Sequence, residues 1–376
     1  MKTRAAVLYE SGLPSPFAKS KPLKIESLEL DEPRAKEVLI KIKATGLCHS
    51  DLSVITGSTI RPTPLAIGHE AAGEIVQLGE GVNNFEIGDH VVCTFVPSCG
   101  ECLPCREGRP ALCEPGAKAD LKGEMLEGGQ RLRTEDGGII HHHLGVSGFA
   151  EYATVSTNSV VKVNPEVPFE DLAIFGCSII TGVGEVVNTA QIKPGSTVAV
   201  VGLGGIGLSA VIGAKLAGAS EIIALDINPD KFKIAKELGA TSTYDSSGSN
   251  ITAEIKEKIP GGVDYAFETA GAVPSMEVAY SITKRGGTTV TSGLPNIEQK
   301  FAFPQFSLTA DEKTIKGSYL GSCVPFRDIP RFIKLYNQGR LPVNRLLTDT
   351  ITLDQINEGF DQLAEGKVNR LVVKMD

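Results

Sequence analysis

A chain of 376 residues with 41% hydrophobic and 22% charged residues has material for two folded domains and excludes disorder as its main state. Acidic residues outnumber basic ones, 45 to 37, and the formal charge of −8 disfavours nucleic acid or an anionic membrane as a partner. The chain has no signal-peptide stretch and no apolar run of the ~20 residues that span a bilayer, so a soluble, cytoplasmic protein is expected.

Short β-rich runs come first. RAAVLYE from Arg4 and EVLIKIKATGLC from Glu37 alternate in part, and AAGEIVQLG from Ala71 and IGDHVVCTF from Ile87 continue as antiparallel strands. A β-rich, barrel-like domain follows. Glu114 to Gly148 is rich in glycine and charge with weak periodicity, which predicts a surface lobe or loops over a cleft. From Thr197 the rhythm changes to strand, glycine turn, helix, strand. TVAVVGLGGIG enters a helix ending near Leu216, EIIALD closes at Asp226, and PDKFKIAKELGA sets Pro229 at a helix start and Gly239 at its end. VDYAFET, GGTTVTSGL and IKGSYLG continue an open α/β unit of the dinucleotide-binding kind. FRDIPRFIKLYNQG reads as an amphipathic helix, and KVNRLVVKM as a strand returning to the first domain.

Gly202, Gly204 and Gly207 satisfy G-x-G-x-x-G between an apolar strand and a helix, with Gly205 as a further small position. Such a turn lets backbone amides and a helix N-terminus meet a pyrophosphate; a purely structural turn is the alternative. Asp226, 24 residues after Gly202, stands where an acid bonds the adenosine ribose and repels an added phosphate, favouring NAD over NADP, unless it merely caps a helix. Lys231 either packs over the adenosine end or is exposed.

Cys99, Cys102, Cys105 and Cys113 form C-x2-C-x2-C-x7-C, a spacing that closes four thiolates around one structural zinc. An iron–sulfur cluster or a disulfide pair is the alternative. Cys48, His69 with Glu70, and Cys177 offer a second, open zinc set, but separations of 21 and 108 residues alone fit buried cysteines and a core histidine equally well. His141, His142 and His143 form a run whose side chains cannot all face one site in an extended segment, which favours a surface or lining role over metal binding. Cys93 and Cys323 read as small buried hydrophobes.

GLCHSD, GHEAAG, GDHV, the four-cysteine lobe, FGCSIITG, GLGGIG and Asp226 together resemble the zinc-containing medium-chain alcohol dehydrogenases over essentially the whole chain. The resemblance implies a GroES-like catalytic domain at 1–178 and 321–376 around a Rossmann-type NAD-binding domain at 179–320. It implies two Zn²⁺ per subunit, a catalytic ion on Cys48, His69 and Cys177 and a structural ion on Cys99, Cys102, Cys105 and Cys113. Glu70 would lie behind the catalytic metal and Asp51 would orient His69. His49 and Arg370 would lie near the pyrophosphate, Thr181 and Ile206 against the nicotinamide, and Phe95, Leu144 and Leu294 along the substrate channel. By their residue types alone, His49 is a surface histidine and Phe95 and Leu294 are core residues.

By the same resemblance, the reaction is reversible oxidation of a primary alcohol to an aldehyde, with zinc as the Lewis acid favouring the alkoxide and NAD accepting the hydride. Ser50 would relay the alcohol proton; an exposed turn serine is the plainer reading. Many animal relatives carry a relay histidine where this chain has Ser53, so Ser53, water or His49 must finish the path. The apolar channel residues favour alkyl or aromatic alcohols such as benzyl alcohol. The competing activity is glutathione-dependent formaldehyde dehydrogenase, whose usual basic residue after the fourth lobe cysteine is replaced here by Ala117, with Lys118 and Lys122 nearby. A zinc-containing NAD-binding protein without catalysis is the non-enzymatic alternative. The long lobe favours a homodimer over a tetramer.

Overall fold

The computed structural model describes residues 1–375, and the chain divides into two compact units. The first comprises Met1–Cys177, Val324–Pro330 and the described chain from Leu347; the second comprises Ser178–Cys323 and Arg331–Leu346. Residues 178, 321–323 and 331–346, expected with the catalytic domain, fall in the second unit: the amphipathic helix Pro325–Asn337 carries the chain out of the first unit after Pro330.

The first unit is β-rich. Its strands are β1 (Lys2–Leu8), β2 (Leu23–Leu30), β3 (Glu37–Gly46), β4 (Leu65–Ala66), β5 (Glu70–Leu78), β6 (His90–Cys93), β7 (Leu132–Arg133), β8 (Ile139–His142), β9 (Tyr152–Ser156) and β10 (Val160–Lys162). A closed barrel runs β1-β2-β7-β8-β4, and β10-β6-β5-β3 form a second sheet in which β9 also pairs with β3. The region expected to be a lobe or loops therefore supplies two barrel strands, too short to show a period. Arg131 beside β7 forks onto Glu37 at the head of β3, with Nε donating to Oε2 at 2.9 Å and neither side chain exposed. Such a buried pair is costly to break once formed. Period-two alternation sends Val38, Ile40 and Ile42 into a core shared with Ile75, Val91, Phe149, Val155 and Phe360. Each such aliphatic side chain, fully buried, contributes about 1.5–3 kcal/mol.

The second unit is a parallel sheet of β11 (Thr197–Val201), β12 (Glu221–Asp226), β13 (Ser242–Asp245), β14 (Val263–Glu268), β15 (Thr283–Thr291) and β16 (Thr314–Gly317), in the order β13-β12-β11-β14-β15-β16. Helices such as Gly205–Leu216 and Val273–Ile282 make the crossovers. The order reverses between β11 and β14, the switch point where such sheets bind ligands at their carboxyl ends. After β17 (Asp349–Ile351), the terminal strand β18 (Leu371–Lys374) pairs antiparallel with β3 and parallel with β17, which forms the edge of the first unit's sheet.

Candidate metal centres and dinucleotide site

Three segments of the first unit bring the dispersed donors together. Cys48 follows β3 and caps the short helix His49–Ile55, His69 and Glu70 stand at the start of β5, and Cys177 ends the unit's first segment. The ligand atoms of Cys48, His69, Glu70 and Cys177 lie within 4.8 Å of one another, all buried. Asp51, in the first turn of that helix, has Oδ1 3.0 Å from His69 Nδ1, leaving Nε2 as the nitrogen available to a metal. Carboxylate support of this kind is a recurrent partner of zinc-bound histidine. Ser50 Oγ lies 3.7 Å from Cys48 Sγ.

The electrostatics suit a divalent cation. Cys48 is held well below the usual thiol range, first by its hydrogen bond from the Cys177 thiol, which is pushed up in turn. Burial opposes charge on Asp51 and His69, yet their mutual attraction prevails, lowering the carboxyl and raising the imidazole. Burial pushes Glu70 up to about 8, against the pull of Arg370. Arg370 sits 3.0 Å from Glu70 Oε1 and donates from its second terminal nitrogen to Leu47 O at 2.6 Å. Its guanidinium is thereby tied to Glu70, beside the candidate metal ligands. Neither Glu70 oxygen has a hydrogen bond of good alignment, a costly state for buried acceptors that a nearby cation relieves.

Cys99, Cys102, Cys105 and Cys113 also converge within 4.8 Å. Cys102 Sγ and Cys113 Sγ are 3.9 Å apart, close to the ~3.8 Å edge of a tetrahedron with Zn–S bonds of about 2.3 Å. Backbone N–H groups of Cys99 and Gly116 donate to Cys113 Sγ at 3.2 and 3.3 Å, and those of Glu101 and Cys102 to Cys99 Sγ at 3.4 and 3.3 Å. Hydrogen bonds from the Cys105 backbone bring Cys102 down to about 7, while burial pushes Cys105 up to about 12. Four sulfurs so close cannot all ionise without a cation, so both donor sets fit zinc.

In the second unit the glycine turn joins β11 to helix Gly205–Leu216. Gly202 has φ +98°, and a Cβ there would meet Ala270 at 2.8 Å, so only glycine fits. At Gly204, which caps the helix, a Cβ would meet nothing within 4 Å; the loop leaves space where a pyrophosphate would approach the helix N-terminus. Gly205 and Ile206 open that helix and Gly207 is buried within it. Asp226, at the end of β12, accepts from Leu203 N at 2.6 Å and Asn228 N at 2.9 Å, with Lys231 Nζ 3.6 Å away. Lys231 thus faces Asp226.

Two family models match the chain: the alcohol dehydrogenase GroES-like domain over residues 34–165 and the zinc-binding dehydrogenase domain over 205–338. An alcohol dehydrogenase zinc-binding domain protein from Burkholderia ambifaria is 35% identical, with a TM-score of 0.94, covering 100% of this chain and 99% of its own. Benzyl alcohol dehydrogenase from Acinetobacter calcoaceticus is 33% identical, with a TM-score of 0.93 and 100% of both chains covered. The chain belongs to the medium-chain zinc alcohol dehydrogenases. It is an oxidoreductase with a GroES-like and a Rossmann-type domain. A zinc-binding dehydrogenase from Sinorhizobium meliloti, solved with NADP, is 26% identical with a TM-score of 0.81 over 100% of both chains. No single helix among the described residues is long and apolar enough to cross a membrane.

The remaining expected residues are placed as follows in this dehydrogenase. Phe95 meets His69 edge-on, centroids 5.5 Å apart, and Leu144 is buried at φ +53°. Leu294 is 69% exposed on the loop after β15, not buried as core. His49 is exposed on the first turn of its helix. Thr181 is buried with no hydrogen-bond partner for Oγ1 among the described residues, on a helix packed so closely to Ile206 that a Cβ at Gly182 would sit 2.2 Å from Ile206 O. Cys93 is buried and pushed up to about 12, whereas Cys323 has a polar neighbour, accepting from Asn188 Nδ2 at 3.1 Å.

His143 was read from sequence as a surface or lining residue, and two further polar residues, Glu185 and Asp120, were not singled out as site candidates. His143 lies 3.3 Å from Asp51 Oδ1. Glu185 is fully buried and raised by that burial, beside Ser292 and Glu268. Asp120 is raised to about 7 by burial, with Arg61 opposing. A short alternation of polar and apolar residues marks none of them.

Because its folded-state value exceeds its unfolded one, Asp120 contributes stability at low pH that is lost as pH rises from about 4 to about 7. Asp120→Asn should therefore be more stable than the wild type at pH 8, by about 4 kcal/mol, with the gap closing below pH 4. Denaturant titrations at the two pH values check this; a gap independent of pH would reject it.

Proposed function

We propose that the enzyme reversibly oxidises primary alcohols, alkyl or aromatic such as benzyl alcohol, to aldehydes with NAD. The observation carrying this reading is the buried convergence of Cys48, His69 and Cys177, with Asp51 on the far nitrogen of His69 and the Ser50 hydroxyl beside Cys48. These three ligands hold the catalytic zinc and the four lobe cysteines the structural one. When bound, zinc supplies Lewis acidity toward an alcohol or carbonyl oxygen, and the dinucleotide supplies hydride acceptance.

The chain's own groups do the rest. Ser50 Oγ takes up the alcohol proton while passing its own outward, since a free hydroxyl is too weak a base to keep it. Ser53, water or His49, which is exposed on the same helical turn, receives it. Asp51 keeps His69 in one tautomer. Phe95 and Leu144 exclude water and face the alcohol's apolar part, Thr181 and Ile206 support the nicotinamide, and the glycine turn receives the pyrophosphate. Arg370 restrains Glu70. Two chains form a homodimer, which sedimentation velocity tests.

NADH absorbance on protein of measured zinc content tests the substrate assignment. A phenyl ring hiding about 100 Å² of apolar surface gains about 2.5 kcal/mol, so benzyl alcohol should exceed ethanol in kcat/KM by roughly 10–100-fold. S-hydroxymethylglutathione should be poor, because Ala117 offers no charge for its carboxylates. A large preference for that adduct would replace the simple-alcohol reading with the formaldehyde dehydrogenase one.

A further inference from the structure

His143 stands against the metal centre without being one of its proposed ligands. It follows β8 directly, and β8 pairs in parallel with β4, Leu65 with His141 and Ala66 with His142. His69 follows β4 by three residues, so the pairing delivers both imidazoles beyond the same ends of two neighbouring strands. The His143 backbone is pinned there: its N–H donates to Ser147 Oγ at 3.1 Å, and its carbonyl accepts from Val146 N at 3.0 Å and Ser147 N at 3.2 Å. The ring is 2% exposed and meets His69 edge-on, with centroids 5.7 Å apart and planes at 75°. Its Nε2 lies 3.3 Å from Asp51 Oδ1, the oxygen that sits 3.0 Å from His69 Nδ1. The His143 contact is the longer of the two and is not aligned as a hydrogen bond, so it acts as a close electrostatic contact; both His143 ring nitrogens and Asp51 Oδ2 have no hydrogen-bond partner among the described residues.

We propose that His143 is a positioning residue for the catalytic metal: as the neutral Nε2–H tautomer it steadies the Asp51 carboxylate and, edge-on, the plane of His69. The proposal rests on the assignment of His69 as a zinc ligand. A carboxylate held only by His69 could swing about its own side chain and let the imidazole turn with it. A second contact on the same oxygen, together with Phe95 5.5 Å from His69, removes that freedom before metal arrives. Partners outside the ligand set commonly change metal affinity by about 10–100-fold, and a group acting through Asp51 belongs at the lower end, about tenfold.

The test follows zinc release from the whole enzyme to a colorimetric chelator, with the four-cysteine ion as internal reference, and the d–d spectrum of protein carrying cobalt at the catalytic site. His143→Phe keeps an aromatic edge but removes the donor; His143→Gln keeps a donor near the position of Nε2. The expected result is about tenfold faster release from the catalytic site in His143→Phe with a shifted cobalt spectrum, an unchanged lobe ion, and substantial recovery of both in His143→Gln. Release within twofold of the wild type and an unmoved spectrum would overturn the proposal. So would equal loss in both variants, which would mark a packing role. His69→Ala separates the two levels of the reading: loss of one ion there with unaltered release in His143→Phe defeats only the positioning role, whereas retention of both ions in His69→Ala defeats the ligand assignment and the positioning role together.

Discussion

Cys48→Ala should remove one of two zinc ions and lower kcat/KM for benzyl alcohol by at least about 10³-fold, since Lewis-acid stabilisation is worth several kcal/mol and each 1.36 kcal/mol is a factor of ten. Cys48 and Cys177 are the two sulfur donors of the buried set, and together they would balance the charge of a divalent ion. With one gone, His69 and Cys177 remain, and the ion keeps a net charge at a buried donor set. Most of the fold should survive, because the residue is small and the apolar core of the first unit does not depend on it. Cys102→Ala should behave differently. The lobe holding it is short on buried apolar side chains, with no buried residue in helix Leu103–Arg106, so its order depends on the metal. Elemental analysis, NADH-coupled rates and proteolysis of the lobe distinguish the two variants. Full activity with both ions retained in Cys48→Ala would reject the catalytic set.

The contrast between the two metal sets explains what could be read from the chain alone. The lobe cysteines are separated by so few residues that one loop must bring them close, and the spacing itself carries the chemistry. Cys48, His69 and Cys177 meet only because β3, β5 and the end of the first segment converge, a tertiary fact that spacing does not encode. Resemblance to a family supplied that set, but it does not report what this chain adds around it. His143 lies within a run of three histidines whose directions are fixed by β8 and the turn after it. Arg370 reaches Glu70 because β18 pairs with β3, 323 residues from Leu47, whose carbonyl it also meets.

The same physical distinction governs the fold. Strands β3 and β11 to β15 are long enough, or apolar enough, to announce themselves by period or composition, except β13, whose STYD is polar and half-exposed. β7 and β8, with two and four residues, are strands because partners on both sides satisfy their backbone groups, not because their own side chains demand it. Asp226 was legible as a position but not as a structural tie: its bond to Leu203 N fixes the glycine turn itself, a role beside the proposed ribose contact, while Asn228 and not Asp226 caps the following helical turn.

That double role shapes the cofactor prediction. Both Asp226 oxygens already accept a backbone N–H, yet a carboxylate has about four acceptor sites, so two remain for ribose hydroxyls. An added ribose phosphate would meet the same negative charge, with Lys231 Nζ at 3.6 Å only partly offsetting it. NAD should therefore exceed NADP in kcat/KM by roughly 100-fold or more, although the Sinorhizobium relative was solved with NADP. Asp226→Ser should weaken NAD by about 10–100-fold, the equivalent of about 1.5–3 kcal/mol for hydrogen bonds to a charged group, and free Lys231 to meet the phosphate. It should also lower Tm, because Leu203 N loses its acceptor. Asp226→Asn separates these effects: it retains an oxygen for Leu203, so Tm should stay close to that of the wild type while the preference for NAD narrows. Steady-state kinetics with both cofactors, beside thermal melts of all three proteins, decide the matter. Equal wild-type use of NAD and NADP would remove Asp226 from cofactor selection and leave it only the glycine turn to hold.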